Sequence, residues 1–291
     1  TLRQAYIPGV KLTSKGDVFV STLNGLNEYN RDTDTFTYIR QNNEMPDKSL
    51  NCNFINCLLT DNENIWVGTE IGGIYLLTPN CLQTYVWQYS YLRETSLSPN
   101  PVNAISEDKD GNLWVGTAEG GLNKKSKGSD EFIHYTFDQN NPTSISNNSI
   151  SGILIDSENH LWAYTWGVGI NELNLNIPHN QTFQRHIRED SIGLEGDFLS
   201  SACEDTMNNG LWFGTTRGLH FYHKKTKRFT RVLFDRSDNE FDAVGSIIID
   251  RKKRLWMGTS EGVFIMDLHS FSISSAQFSY TYLKHKLTEP T

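Results

Sequence analysis

Short apolar segments recur along the whole chain, each bounded by polar residues and glycine. In residues 102–137 they occupy Val102–Asp108, Leu113–Thr117, Leu122–Lys124 and Phe132–Phe137. Aromatic and β-branched residues are common in these segments, and turn residues separate them, which is typical of β-strands. The apolar positions show no helical period, so the pattern predicts an all-β protein of short strands.

One motif recurs six times. The segment GNLWVGTAEGGL at 111–122 has counterparts at 63–74, 159–170, 209–219 and 253–263, and a weaker one at 16–26. Its aromatic anchors, 44 to 50 residues apart, are Phe19, Trp66, Trp114, Trp162, Trp212 and Trp256. A threonine follows each anchor by three residues: Thr22, Thr69, Thr117, Thr165, Thr215 and Thr259. Four strands of about five residues, with their turns, fill this period.

Two further positions keep register with the anchors. Nine residues before each anchor stand the apolar residues Val10, Cys57, Ile105, Ile153, Cys203 and Ile247, which predicts core positions for the two thiols. After the threonines come Gly25, Gly72, Gly120, Gly169, Gly218 and Gly262. Glycine at this position fits a tight turn that needs positive φ.

The period favours a β-propeller over a β-helix, whose coils are much shorter. Propeller blades pack both faces against their neighbours, and the second strands are apolar on both faces, as in Leu113-Trp114-Val115. We therefore predict one domain over residues 1–291, a propeller of four-stranded antiparallel blades with six repeats. Each anchor should lie on the second strand of its blade and be buried between blades.

The sequence is compatible with two ways of closing the ring of blades. The sixth repeat ends in an expected outer strand near Gln277–Leu283. Thr1–Tyr6 supplies an outer strand for the blade that closes the ring, or a seventh blade lies outside this sequence. Because the chain begins with Thr1 rather than Met, we expect a piece excised from a larger receptor.

Charge and composition limit the classes of binding partner that we expect. The formal net charge is −8, and basic runs such as Arg251–Arg254 are short, so nucleic acid is not an expected partner. Apolar runs stay far below the 18 residues of a membrane span, so membrane contact is expected only through segments outside this sequence. The cysteines Cys52, Cys57, Cys81 and Cys203 fit neither a disulfide framework nor the CxxC metal motif, and no cofactor is expected.

The pattern D-x-x-G-N-L-W-V-G-T-x-x-G-G-L at 108–122, followed by NPTSIS at 141–146, resembles the two-component regulator propeller repeat. RETSLS at 93–98 and Asp47–Leu50 extend the likeness, which covers residues from about 7 to 266. The resemblance implies the periplasmic sensor region of a bacterial hybrid two-component system. In such receptors two propellers, usually of seven blades, precede a β-sandwich, a membrane helix and a histidine kinase.

The same resemblance implies a function. Members of this family sense oligosaccharides released from complex glycans, so we expect a sugar-binding sensor domain without catalytic activity, with a homodimer in the parent receptor. Two alternatives stay open. One is a propeller that binds proteins and no small ligand. The other is a lyase or transferase, since some bacterial propeller enzymes place a histidine at the axis, where only His179 and His186 loosely fit.

Other chemistry has weak support in the sequence. Asp108–Asn112 resembles part of a calcium loop, but the copies at 156–159 and 250–253 lose carboxylates, which favours a hairpin turn. His220 and His223 fall on opposite faces of a strand, as do Glu204 and Asp205, and both pairs are predicted to be structural or solvated. No GK[ST] motif occurs.

The repeat breaks in its fourth copy, where Tyr164 replaces a glycine and Trp166 follows the threonine. An aromatic ring at this turn can stack on a sugar; the alternative is that both rings fill space between blades. The same turns in other copies offer Asn24, Glu70, Glu119, Arg217 and Glu261, and the preceding loops offer Asn53, Asn100, Asn148, Asp197 and Asp242. The predicted ligand site is Tyr164, Trp166, Arg217, Glu70, Glu119, Glu261, Asn24, Asn148 and Asp197.

Overall fold

The computed structural model describes residues 7–40, 49–78, 84–99, 101–179, 181–187, 194, 198–232, 243–259, 262–271 and 280–284. The described residues form 24 β-strands and no helix. The strands make six four-stranded antiparallel sheets, here called blades 1 to 6, in which chain order is also sheet order. The predicted all-β propeller is confirmed.

The first three blades are regular meanders. Blade 1 contains β1 (Gly9–Leu12), β2 (Val18–Thr22), β3 (Gly25–Asn30) and β4 (Thr35–Ile39); blade 2 contains β5 (Ile55–Asp61), β6 (Asn64–Thr69), β7 (Ile74–Leu77) and β8 (Thr84–Trp87); blade 3 contains β9 (Val102–Glu107), β10 (Leu113–Thr117), β11 (Leu122–Lys125) and β12 (Phe132–Tyr135). The four strands predicted for the third repeat are thus correct to within two residues.

The remaining blades follow the same order. Blade 4 contains β13 (Ile150–Ile155), β14 (His160–Thr165), β15 (Ile170–Asn174) and β16 (Gln184–His186); blade 5 contains β17 (Leu199–Asp205), β18 (Gly210–Thr215), β19 (Gly218–His223) and β20 (Arg228–Val232); blade 6 contains β21 (Val244–Ile249), β22 (Arg254–Thr259), β23 (Gly262–Asp267) and β24 (Tyr280–Lys284). Strand β24 is the outer strand expected near Gln277–Leu283. Thr1–Tyr6 lie outside the described residues.

The chain packs into two compact units, Thr1–Ile155 (unit 1) and Asp156–Thr291 (unit 2). The single domain over residues 1–291 stays a prediction.

The six anchors all lie on second strands, as predicted. Phe19, Trp114, Trp162 and Trp212 are buried, whereas Trp66 and Trp256 are half-buried. Apolar clusters join consecutive blades within each unit. In unit 2, one such cluster combines Trp212 of blade 5 with Met257 of blade 6. Burial of apolar surface between blades therefore provides the core.

A buried aspartate fixes most of the tryptophan anchors. The indole Nε1–H of Trp114 donates to Asp108 Oδ2 at 2.9 Å. The same bond joins Trp162 to Asp156, Trp212 to Asp205 and Trp256 to Asp250, at 2.9–3.1 Å. Asp108 also accepts hydrogen bonds from the backbone of Asp110 and from Asn112, so one carboxylate shapes the turn and satisfies the indole.

Blade 2 lacks this bond because its turn is shorter. Asp61 stands five residues before Trp66, whereas Asp108 stands six residues before Trp114. Asp61 pairs directly with Asn64 in a two-residue hairpin. Among the described residues, the buried Trp66 Nε1 has no hydrogen-bond partner.

The two cysteines in register with the anchors pack against the core, as predicted. Cys57 and Cys203 are half-buried beside apolar clusters, and burial raises the pKa of both thiols to about 12. Val10, at the same register position, is half exposed, so the core position predicted for it is wrong.

A chain of two histidines and one glutamate lies in unit 2. His160 Nδ1 and His186 Nε2 bind the two oxygens of Glu172, at 2.7 and 2.9 Å. The ring of His186, almost fully buried, stacks on Trp162 with centroids 5.6 Å apart. Burial alone would raise the pKa of Glu172, but the bonds from His186 and His160 outweigh it and lower that pKa.

The Asp–Trp bond yields a matched pair of variants. Asp108→Ala leaves the buried Trp114 indole and the turn amides without their acceptor, and should lower the free energy of unfolding by about 2–3 kcal/mol. Asp61→Ala removes a carboxylate that holds no indole and should cost less than about 1 kcal/mol. Guanidinium unfolding of both variants measures the difference; equal losses would show that the bond to Trp114 contributes nothing.

The Glu172 pKa predicts a pH dependence. A carboxyl whose folded-state pKa is depressed contributes its full stabilisation above its unfolded pKa, about 4.3, and loses it as the pH falls through the folded value. The difference in melting temperature between the wild type and Glu172→Gln should therefore shrink from about pH 5 downwards. Thermal unfolding at a series of pH values measures it. A difference that widens over this range would contradict the assignment.

Candidate functional site

The threonine of every repeat closes the turn between the second and third strands, here called the threonine turn. Its Oγ1–H donates to the carbonyl of a glycine three or four residues later, at 2.9–3.3 Å in all six blades. These glycines, all at positive φ, are Gly25, Gly73, Gly121, Gly169, Gly218 and Gly262. The bond fixes the backbone on both sides of the intervening turn residues.

In the second and third repeats, the positive φ predicted for Gly72 and Gly120 is wrong. The next glycine of each repeat, Gly73 or Gly121, adopts the positive φ instead. Gly120 is required for a different reason, because a Cβ there would lie 2.1 Å from the Ser98 side chain.

A cavity of about 410 Å³ opens in unit 2 beside the threonine turns of blades 4 to 6. Its lining includes Trp166, Phe198 and Ser200, together with the glycines Gly245 and Gly258. Its volume falls within the range of about 300–1,000 Å³ that is usual for small-molecule sites.

Two exposed aromatic rings border this cavity. Trp166 directly follows Thr165 and is 63% exposed, and Phe198 is 50% exposed. Their backbones form an antiparallel β-bridge. The amide of Thr216 donates to the carbonyl of Phe198 at 3.1 Å, so strand-like hydrogen bonds fix the backbone from which both rings project.

Tyr164 and Arg217, the other described residues of unit 2 that were predicted for the site, are not among the residues that line the cavity. Tyr164 is buried against Phe213, with ring centroids 6.4 Å apart, and burial raises the pKa of its phenol. It therefore fills space between blades 4 and 5, the alternative that the sequence left open for it. Arg217 is exposed next to the lining residue Thr216, and its backbone N–H donates to Thr215 Oγ1 at 3.0 Å.

Four predicted residues lie in unit 1, at threonine turns and at the loop before a first strand. Glu70 is exposed and accepts a hydrogen bond from Asn56 Nδ2 at 2.9 Å. Asn148 Oδ1 accepts from the backbone of Phe137 at 2.7 Å, so it holds a loop. Glu119 is exposed, and Asn24 is half-buried with its backbone N–H bound to Thr22. Their role in a ligand site stays a prediction.

Four further candidates lie outside the residues that the structure describes. These are Asp197, Glu261 and the loop residues Asn100 and Asp242.

Phe198 and Phe54 were not among the site residues predicted from the sequence. Each stands directly before the first strand of its blade and is half exposed. Each carbonyl accepts the amide of the residue after a repeat threonine, Thr216 and Glu70 respectively. An aromatic residue immediately before a first strand was the available signal.

The remaining chemical candidates have structural roles. The Glu204 carboxylate accepts hydrogen bonds from the Ser157 hydroxyl and from Lys224 Nζ, the latter at 2.8 Å. Asp205 accepts a hydrogen bond from the indole N–H of Trp212. His220 is buried in β19, and His223 Nδ1 accepts a hydrogen bond from the backbone N–H of Thr226. The turn bonds of Asp108 explain the stretch that resembles a calcium loop.

Within the described ranges, no cluster of three or more His, Cys, Asp or Glu side chains is arranged to hold a metal ion. The described part of the chain also contains no helix long and apolar enough to cross a membrane.

Solved structures share this fold. The extracellular domain of a putative hybrid two component system from B. thetaiotaomicron has a TM-score of 0.80 and 20% identity over 98% of this chain, which spans 36% of that chain. A catalytically inactive virginiamycin B lyase from Staphylococcus aureus with quinupristin has a TM-score of 0.69 at 13% identity, covering 97% of this chain and 85% of that chain. The WD40 repeats of RRP9 reach 0.69 at 10% identity, covering 97% and 81%. Identities this low show the fold alone.

The sequence matches no curated protein. Residues 49–70 and 96–119 match the family described as two component regulator propeller. The first segment contains the Ser49–Asn51 loop and Thr69, and the second contains the Ser96–Ser98 loop and Thr117. Over these residues the resemblance to the two component regulator propeller is confirmed, on a chain whose described residues have a β-propeller fold.

Proposed function

We propose that this chain is an extracytoplasmic sensor domain that binds an oligosaccharide and signals its occupancy to a histidine kinase elsewhere in the parent protein. The domain contributes binding only, and the kinase, membrane segment and any dimer contacts belong to the rest of the receptor. The regulator propeller repeats and the likeness to an extracellular two-component domain support the sensor role. A periplasmic location follows from the same proposal.

One observation carries the binding role: two exposed aromatic rings border a cavity of ligand size. Large exposed aromatic side chains are costly to leave in water, and here backbone bonds fix the main chain of Trp166 and Phe198 beside the cavity. The C–H face of a pyranose can stack on such a ring, while its hydroxyls bind groups at the rim. Ser200 and Thr216 place hydroxyls, and the strands place carbonyls, within the same lining.

The absence of acid–base machinery in the described lining supports binding rather than catalysis. Glycoside hydrolysis generally needs two carboxyl groups on either side of the scissile bond. Among the described residues, those that line the cavity include no carboxylate and no histidine. The likeness to virginiamycin B lyase concerns the fold, at 13% identity.

Protein binding is the second candidate, and one surface favours it. The outer strand of blade 2 and the following loop expose Tyr85, Val86, Tyr89, Tyr91 and Leu92, the last two by more than 80%. Contiguous exposed apolar residues commonly mark interaction surfaces. This candidate expects no binding of a free oligosaccharide.

The first test removes the exposed indole. Trp166→Ala should weaken oligosaccharide binding about tenfold or more, because an aromatic contact adds about 0.5–1.5 kcal/mol to its area burial. Isothermal titration calorimetry with oligosaccharides identified by a thermal-shift screen measures the affinity. Tyr91→Ala, which removes an exposed ring from unit 1, is the control and should leave the affinity unchanged.

Folding is checked by the melting temperature of the same variants. Trp166→Ala should melt close to the wild type because its ring is exposed, whereas truncating the buried Trp162 costs about 3–5 kcal/mol. A folded Trp166→Ala variant with wild-type affinity would remove Trp166 from the site.

A second test concerns catalysis. The purified chain should leave oligosaccharides intact over a prolonged incubation, as followed by mass spectrometry of the products. Sustained turnover that disappears on mutation of a single carboxylate would overturn the binding-only assignment.

A further inference from the structure

The first strands of several blades share an irregularity next to the threonine turn. In β5, β9, β17 and β21 the pairing with the second strand skips one residue, which leaves Asn56, Asn103, Ser200 and Gly245 in a β-bulge. Three of these four bulges carry a polar side chain. Blade 6 has glycine there.

The polar bulge residues make bonds that a glycine cannot. Asn103 Nδ2 donates to the carbonyl of Ile150 at 3.0 Å, within unit 1. Ser200 Oγ donates to the carbonyl of Val244 at 2.6 Å, within unit 2. Each bond ties the first strand of one blade to the first strand of the next.

Gly245 leaves space where these side chains would stand. Among the described residues, a Cβ built on Gly245 would meet a single neighbouring atom within 4 Å, the carbonyl oxygen of Gly258 at 3.7 Å. Its φ lies outside the left-handed region, so another residue fits the backbone. Both Gly245 and Gly258 line the cavity bordered by Trp166 and Phe198.

The lining also selects the charge of its occupant. Every described residue that lines the cavity is uncharged, and half of them are aromatic or aliphatic. An anionic group inserted there would lose its hydration without gaining a cationic partner among these residues, which is unfavourable. A neutral sugar ring can use the aromatic faces and the hydroxyls of Ser200 and Thr216 without this cost.

We infer that Gly245 opens this cavity to an uncharged sugar ring, and that the site discriminates against the same ring carrying a carboxylate. This inference rests on the proposed function, since it names the class of sugar that the same site would take. Gly245 is the specificity-determining position because a side chain there would occupy the space that the ring needs.

The first experiment fills the cavity. Gly245→Asn places at this bulge the side chain that blade 3 carries, and Gly245→Ala adds a single carbon. The affinity for a neutral oligosaccharide should fall slightly in the alanine variant and about tenfold or more in the asparagine variant. Melting temperatures should stay at the wild-type value or rise. Asn103→Ser, which keeps a donor at the same bulge in unit 1, is the matched control and should bind normally.

The second experiment compares sugars that differ only at C6. The probes are manno-oligosaccharides against mannuronate oligosaccharides of the same linkage, and cello-oligosaccharides against their C6-oxidised counterparts. Titration calorimetry with the whole chain should give about tenfold or tighter binding for a neutral member than for its carboxylate.

The outcomes separate the two proposals. Binding of a carboxylated sugar that depends on Trp166, with its neutral partner weaker or equal, would overturn the inference and leave the proposed function standing. Neutral-sugar binding that Gly245→Asn does not weaken would also overturn the inference alone. If none of these probes and no other oligosaccharide binds, the proposed function fails and the inference fails with it.

Discussion

A single hydrogen bond, from the repeat threonine to a glycine carbonyl across the turn, recurs in all six blades at 2.9–3.3 Å. The threonine is buried or half-buried, so the bond forms away from water and costs much to lose. It fixes where the second strand stops and the third begins. The residues after the threonine can therefore vary freely, and in blade 4 that freedom accommodates an exposed tryptophan.

In blades 3 to 6, the turn at the opposite end is fixed by the aspartate that accepts the indole N–H. This bond forms at a spacing of six residues, as in Asp108 and Trp114, or seven, as in Asp205 and Trp212. It does not form at five, in blade 2, where the indole nitrogen of Trp66 has no described partner. One end of blades 3 to 6 is thus constrained by a charged hydrogen bond and the other by the threonine turn.

Repetition made the fold predictable, because six copies in register show which positions the core requires. The strands of blade 3, the anchors and the turn threonines followed from the sequence. The site followed only in part. Tyr164 and Trp166 are two residues apart and equally unusual, yet the side chain of Tyr164 is buried against Phe213 and that of Trp166 is exposed. The role of Gly245 could not be predicted from the sequence, because a cavity forms where neighbouring residues lack side chains. The bulge also shifts the repeat register by one residue, so Gly245 does not align with the repeat motif.

The chain contains seven tryptophans, and their indole N–H resonances report on the core and the site together. The most direct measurement is a titration of the ¹⁵N-labelled chain with a neutral oligosaccharide, followed by these resonances in a heteronuclear correlation spectrum. The account predicts that the Trp166 resonance shifts on binding while those of the aspartate-bound Trp114, Trp162 and Trp212 keep their positions and exchange slowly with solvent. A ligand that shifts other indoles and leaves Trp166 unmoved would contradict it.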